Sequence, residues 1–92
     1  MNFQVTVLKI LDAYPDGFAL LDQLKRDMAI LVTSGRDWAE RTDRLATRVP
    51  HLDIFADGLV RRENGGWRIT EKGRAAISFM EGRTDASEGQ QW

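Results

Sequence analysis

The chain contains no cysteine and one histidine, His51. The first absence removes disulfide staples, thiolate metal ligands and nucleophilic thiols, and the second makes a conventional zinc site or catalytic triad an unpromising reading. No apolar run approaches the roughly 18–20 residues that span a bilayer, and the opening MNFQVTVLKI lacks a basic segment and a small-residue cleavage site. A cytoplasmic chain with no membrane partner, metal or cofactor is the expectation. An excess of one charge is also missing: 13 Lys and Arg stand against 14 Asp and Glu, a formal net charge of −1. Phosphate neutralisation supplies most non-specific affinity for nucleic acid, so the total argues against such a partner. At 92 residues the chain buries roughly 60–65% of its unfolded surface in one core, which leaves little room for an enclosed active site. One domain without catalysis of its own is expected.

The charge is unevenly spread. Removing residues 81–92, with Glu81, Asp85 and Glu88 against Arg83, leaves twelve cations and eleven acids. Between positions 61 and 74, Arg61, Arg62, Arg68, Lys72 and Arg74 face only Glu63 and Glu71. The acids Asp12, Asp16, Asp22 and Asp27 lie scattered along the first third and lack the paired, enclosed setting of general acid–base work.

Phe3, Val7, Ile10, Leu11 and Tyr14 recur at helical spacing. Phe3, Val5 and Val7 also alternate as a strand would, but the pattern outruns an ordinary strand and stops at the turn signal Pro15-Asp16-Gly17, so a helix is expected. Val5 and Leu8 fall off its main face and suggest a dimer surface. After a very short extended piece at Phe18-Ala19-Leu20, Leu21, Leu24, Met28 and Leu31 mark a second amphipathic helix. Thr33-Ser34-Gly35 interrupts it, with Ser34 and Asp37 resembling a capping box. A third helix is expected over 36–48, burying Trp38, Thr42, Leu45 and Val49 and ending before Pro50. Residues 51–57 read as a short turn or helix that sets Leu52, Ile54 and Phe55 against the core.

Gly58-Leu59-Val60 and Trp67-Arg68-Ile69 flank Asn64-Gly65-Gly66, the pattern of an antiparallel hairpin. Either Asn64-Gly65 or Gly65-Gly66 fits as its two-residue loop. Thr70 is suited to cap a final helix containing Ala75, Ala76, Ile77, Phe79 and Met80. Residues 83–92 are too polar to bury and read as a disordered tail after a domain spanning 1–82. The fold class is mainly α with a small antiparallel β-hairpin or sheet, in the order α-(β)-α-α-β-β-α.

That order, with GLVRRENGGWRITEKGRAAI as its second half, resembles a winged helix-turn-helix domain and, more loosely, the amino-terminal module of Mrr-type restriction proteins. The resemblance covers about residues 3–80 by order of elements and 58–73 by motif. It implies a wing entered at Gly58-Leu59-Val60, a tip at Asn64-Gly65-Gly66 and a return through Trp67-Arg68-Ile69. The implied activity is binding of double-stranded DNA, as a transcription regulator or DNA-targeting module. One departure is the 22 residues between Gly35 and Gly58, split by Pro50, where winged helices usually run almost directly from recognition helix into wing. Two segments compete as the recognition helix. The segment 36–48 offers Arg36 at its start and Arg41, Arg44 and Arg48 on one face; 51–57 offers His51, Asp53 and Asp57, whose carboxylates repel phosphate.

For the third-helix arginines, the competing reading is a solvated face on which Asp37, Glu40 and Asp43 pair with them. For Arg61, Arg62, Asn64 and Arg68 the functional reading is contact with phosphate or minor groove; the alternative is cross-strand charge, for example Glu63 opposite Arg68, with edge protection. Lys72 and Arg74 stand where cations oppose the helix dipole, which favours a ligand slightly over plain solvation. Trp38 and Trp67 are read as core, and His51 as a cap or surface residue. The second function class is a winged-helix protein-interaction or homodimerisation module that does not bind DNA.

Overall fold

The computed structural model describes residues 1–82 as four helices and a three-stranded antiparallel sheet; the expected tail at 83–92 lies outside the described residues. Helix α1 spans Phe3–Ala13. Asn2 Oδ1 starts it by accepting from the Val5 amide at 2.9 Å, and it stops at Tyr14, whose backbone is extended ahead of Pro15. Tyr14 donates from its hydroxyl to Asp27 at 2.7 Å, tying the end of α1 to the second helix. That bond to a carboxylate raises the phenol above its ordinary pKa.

Val5, Thr6, Val7, Leu8, Ile10 and Leu11 are all buried, because α1 packs against every other helix and the central strand. This overturns the expected dimer surface: Val5 and Leu8 are both 0% exposed, covered by the chain's own elements. Phe3, expected on the buried face, is instead 58% exposed at the open end of the helix.

Strand β1, Phe18–Leu20, runs directly into α2, Leu21–Val32, where the Leu20 amide donates to Gln23 Oε1 at 2.9 Å. Leu24 is buried, and Met28 and Leu31 pack on the core. Helix α3 covers Arg36–Ala46. Its N-cap is Gly35 at φ 94°, without a side-chain bond, and Ser34 donates back to the Ile30 carbonyl, so the expected Ser34 cap does not form. The helix also stops two residues short of Arg48.

Residues 51–58 form turns rather than a helix. Asp53 Oδ1 accepts from the amides of Phe55 and Ala56, and Gln4 of α1 donates to Leu52 O at 2.9 Å and accepts from Ile54 N at 2.8 Å. These bonds pin the segment while Ile54 enters the core. Of the two candidate recognition segments, only 36–46 is helical.

Strands β2, Val60–Glu63, and β3, Gly66–Ile69, form the hairpin, and the sheet order is β1-β3-β2. Glu63 pairs with Gly66, which makes Asn64-Gly65 the loop; their φ values of 43° and 78° suit the type I′ turn that matches strand twist. Helix α4, Glu71–Met80, is capped by Thr70, whose Oγ1 accepts from Gly73 N at 3.0 Å and donates to Gly58 O at 2.7 Å. Ile77 and Met80 join Leu8 and Leu11 in the core.

Opposite Leu20, Gly66 lets β1 approach so closely that a Cβ there would collide with the Ala19 carbonyl. Gly66→Ala is therefore expected to destabilise the fold by about 1–3 kcal/mol through overpacking. A lowered urea midpoint with an unchanged slope would show it; an unaltered midpoint would contradict the close approach.

Candidate nucleic-acid interface

The cationic surface divides between α3 and the hairpin. Thr42, fully buried, accepts from the Asn2 amide at 3.0 Å, and Trp38 donates from its indole nitrogen to buried Thr6 at 3.2 Å. These two bonds fix α3 on the first turn of α1 and set which of its faces looks outward. Trp38 is half-buried and lines a recess with Ile30 and Leu31.

Outward lie Arg36, Arg41 and Arg44, all exposed. Asp37, Glu40 and Asp43 form no ion pair with them; the Asp43 carboxylate instead lies 3.6 Å from the Met1 amino group. Arg41 and Arg44, with Leu45 and Glu81, line a shallow recess of about 350 Å³. Glu81 is also in an ion pair with Lys9. Arg48, beyond the end of α3, places its guanidinium 5.1 Å from the centre of the Phe79 ring.

The hairpin arginines are engaged within the molecule. Arg61 and Arg68 sit directly opposite one another, an arrangement of like charges that costs stability unless neutralised. Glu63 neutralises both, accepting from Arg68 Nε at 2.7 Å and Arg61 Nη2 at 3.0 Å. The pairing of Glu63 with Arg68 is thus diagonal, since Glu63 itself stands opposite Gly66. Arg68 further donates to Asp16 O at 2.9 Å and lies 5.1 Å from the Phe18 ring centre, so it joins the hairpin to the turn before β1.

Arg62 points to the other face of the sheet, 4.1 Å from the centre of the Phe55 ring, and Phe55 meets Trp67 edge-on at 4.9 Å. Arg74 bonds Asp12 Oδ1 at 2.7 Å and fastens α4 to the end of α1. Asn64 at the loop and Lys72 at the start of α4 are exposed, and no ion pair involves Lys72 among the described residues.

Two clusters result, and α4 separates them. The hairpin joins the start of that helix, whereas Arg41 and Arg44 border Glu81, and Arg48 lies over Phe79, at its far end. Ten helical residues put roughly 15 Å between those ends. The sequence reading missed Phe55 as the platform for Arg62. Its only advance signal was an aromatic two residues past Asp53 in a segment whose path the sequence does not specify. It also missed an apolar groove beside α2, because helical spacing assigned Leu21 to the core. Among the described residues no cluster of His, Asp or Glu is arranged to hold a metal, and no helix is long and apolar enough to cross a membrane.

No family model, curated protein or solved structure matches this chain.

Arg68 and Arg61 hold the Glu63 carboxyl below its ordinary pKa, against a smaller opposing effect of burial. A depressed folded-state pKa contributes stability above the unfolded carboxylate pKa, lost as pH falls through the folded value. Glu63→Gln should accordingly lower the melting temperature at neutral pH, with the gap to the parent closing below about pH 4. Melting followed by circular dichroism across that range checks both; a gap independent of pH would contradict the charge assignment.

Proposed function

We propose that the chain is a winged-helix DNA-binding module in which α3 is the recognition helix and the β2–β3 hairpin is the wing. The element order α1-β1-α2-α3-β2-β3-α4, with the first strand beside the third, supports that reading. Function does not follow from fold alone. The observation that carries the proposal is the exposed set Arg36, Arg41 and Arg44, which form no ion pair among the described residues on a helix that also bears three acids. Unpaired guanidiniums on a rigid, outward helix face are suited to phosphate and to guanine edges in a major groove.

The wing plays the lesser part in this reading. Arg61, Arg68 and Arg74 already hold carboxylates, so Asn64 and Lys72 are its available contacts, and Arg62 and Arg48 supply charge from positions stacked on aromatic rings. The module carries no catalysis of its own and acts as a transcription regulator or as the targeting part of a larger assembly. The internal commitment of the wing cations favours a second reading, a winged-helix protein-interaction or dimerisation module that does not bind DNA.

Titration of a labelled random duplex at rising salt separates the two. DNA binding predicts a linear fall of log affinity with log salt, and Arg41→Ala with Arg44→Ala should reduce that slope by nearly two. Arg68→Ala should act mainly on thermal stability. Absence of binding even at low salt would sink the DNA reading, and a dimer in light scattering would then support the second.

A further inference from the structure

The face of α2 from Leu21 to Val32 forms one wall of a groove of about 730 Å³, a size within the range of small-molecule sites. Phe3 and Val7 of α1 line it as well, and Phe55 and Trp67 complete its apolar surface. Phe3 and Val32 are more than half exposed, so these walls stand open to water. Eleven residue steps along α2 give the groove a length of about 16 Å.

Its polar lining consists of Gln4 and Lys25. The Gln4 amide is already occupied, donating to Leu52 O and accepting from Ile54 N. Lys25 is exposed and has no hydrogen-bonding or ionic partner among the described residues. The groove lining therefore offers an elongated apolar surface and one charged side chain, a cation, with no acidic residue in it; Arg62, over the Phe55 ring, adds a second cation at its margin.

We propose that this groove binds an amphiphilic carboxylate, a medium-chain alkyl anion whose chain lies along α2 and whose carboxylate meets the Lys25 ammonium. Apolar walls give affinity to the chain, and the Lys25 charge selects the head group and its orientation. A second copy of the protein is a poorer occupant, because a two-fold contact of this surface with itself brings the two Lys25 ammoniums to one interface whose groove lining holds no carboxylate. The site is separate from the arginine face of α3, and the proposal does not depend on DNA binding.

The test uses the full chain without DNA, titrated calorimetrically with sodium dodecanoate, 1-dodecanol and dodecyltrimethylammonium, each below its aggregation threshold. Backbone amide shifts locate the binding. Dodecanoate should bind one per chain, shift amides between residues 21 and 32, and bind at least about tenfold more tightly than the cationic amphiphile. Lys25→Gln, at an exposed helical position, should weaken dodecanoate by about fivefold and leave dodecanol unchanged. Lys25→Glu should reverse the preference between anion and cation.

Equal affinity for the two charged amphiphiles, indifference to Lys25, shifts confined to other residues, or no binding would each overturn the proposal. A concentration-dependent dimer whose amide shifts map to residues 21–32 and which excludes dodecanoate would overturn it in favour of a second copy. Since no duplex is present, these outcomes leave the DNA reading to its own titration.

Discussion

Burial of α1 around most of its circumference is the constraint on which the other elements depend. An amphipathic surface helix covers one stripe; α1 instead presents buried side chains at consecutive positions from Val5 to Leu8. The three remaining helices and the central strand β3 each find part of their own core against it. Its polar atoms are equally committed. Asn2 and Thr6 receive α3, Gln4 secures the turns before the hairpin, Asp12 holds Arg74 of α4, and Tyr14 reaches Asp27 of α2. A small domain has little apolar area to spare, and concentrating it on one central helix lets each peripheral element be short.

The same economy decides how charge is distributed. Where the chain needs order at its periphery, arginines are used structurally. Arg68 links the hairpin to the turn before β1, Arg62 caps the Phe55 and Trp67 pair, and Arg74 clamps two helix ends. On α3 the need is absent, because Thr42, Trp38 and Leu45 already seat the helix. Arg36, Arg41 and Arg44 consequently remain available. A local cationic excess of three between positions 61 and 74 thus makes a less available surface than the mixed charges of α3, whose acids and arginines do not pair with one another.

Periodicity made the four helices and the hairpin legible, and in two places it failed for one reason. It takes each helix to have one buried stripe. For α1 that put Val5 and Leu8 outside, although neighbours cover them; for Phe3 and Leu21 it predicted cover that no neighbour supplies. The Ser34 cap failed differently. Gly35 enters α3 at positive φ, and the serine preceding it satisfies the end of α2 instead. The 51–57 segment was ambiguous because its path is set by side-chain bonds from Asp53 and from Gln4, forty-eight or more residues away.

What the sequence by itself determined was local: where the helices start, that Pro15-Asp16-Gly17 turns the chain, and that Thr70 caps α4. Those outcomes depend on residues a few positions apart, whose chemistry acts whatever the rest of the chain does. Only the tertiary structure decided that Asn64-Gly65 is the hairpin loop, that β1 lies beside β3, and which arginines hold partners and which do not. Register, and with it the partner of each charge, follows from long-range packing around α1 and from the close backbone approach at Gly66. Neither leaves a trace in local pattern, because each is a property of two distant segments together.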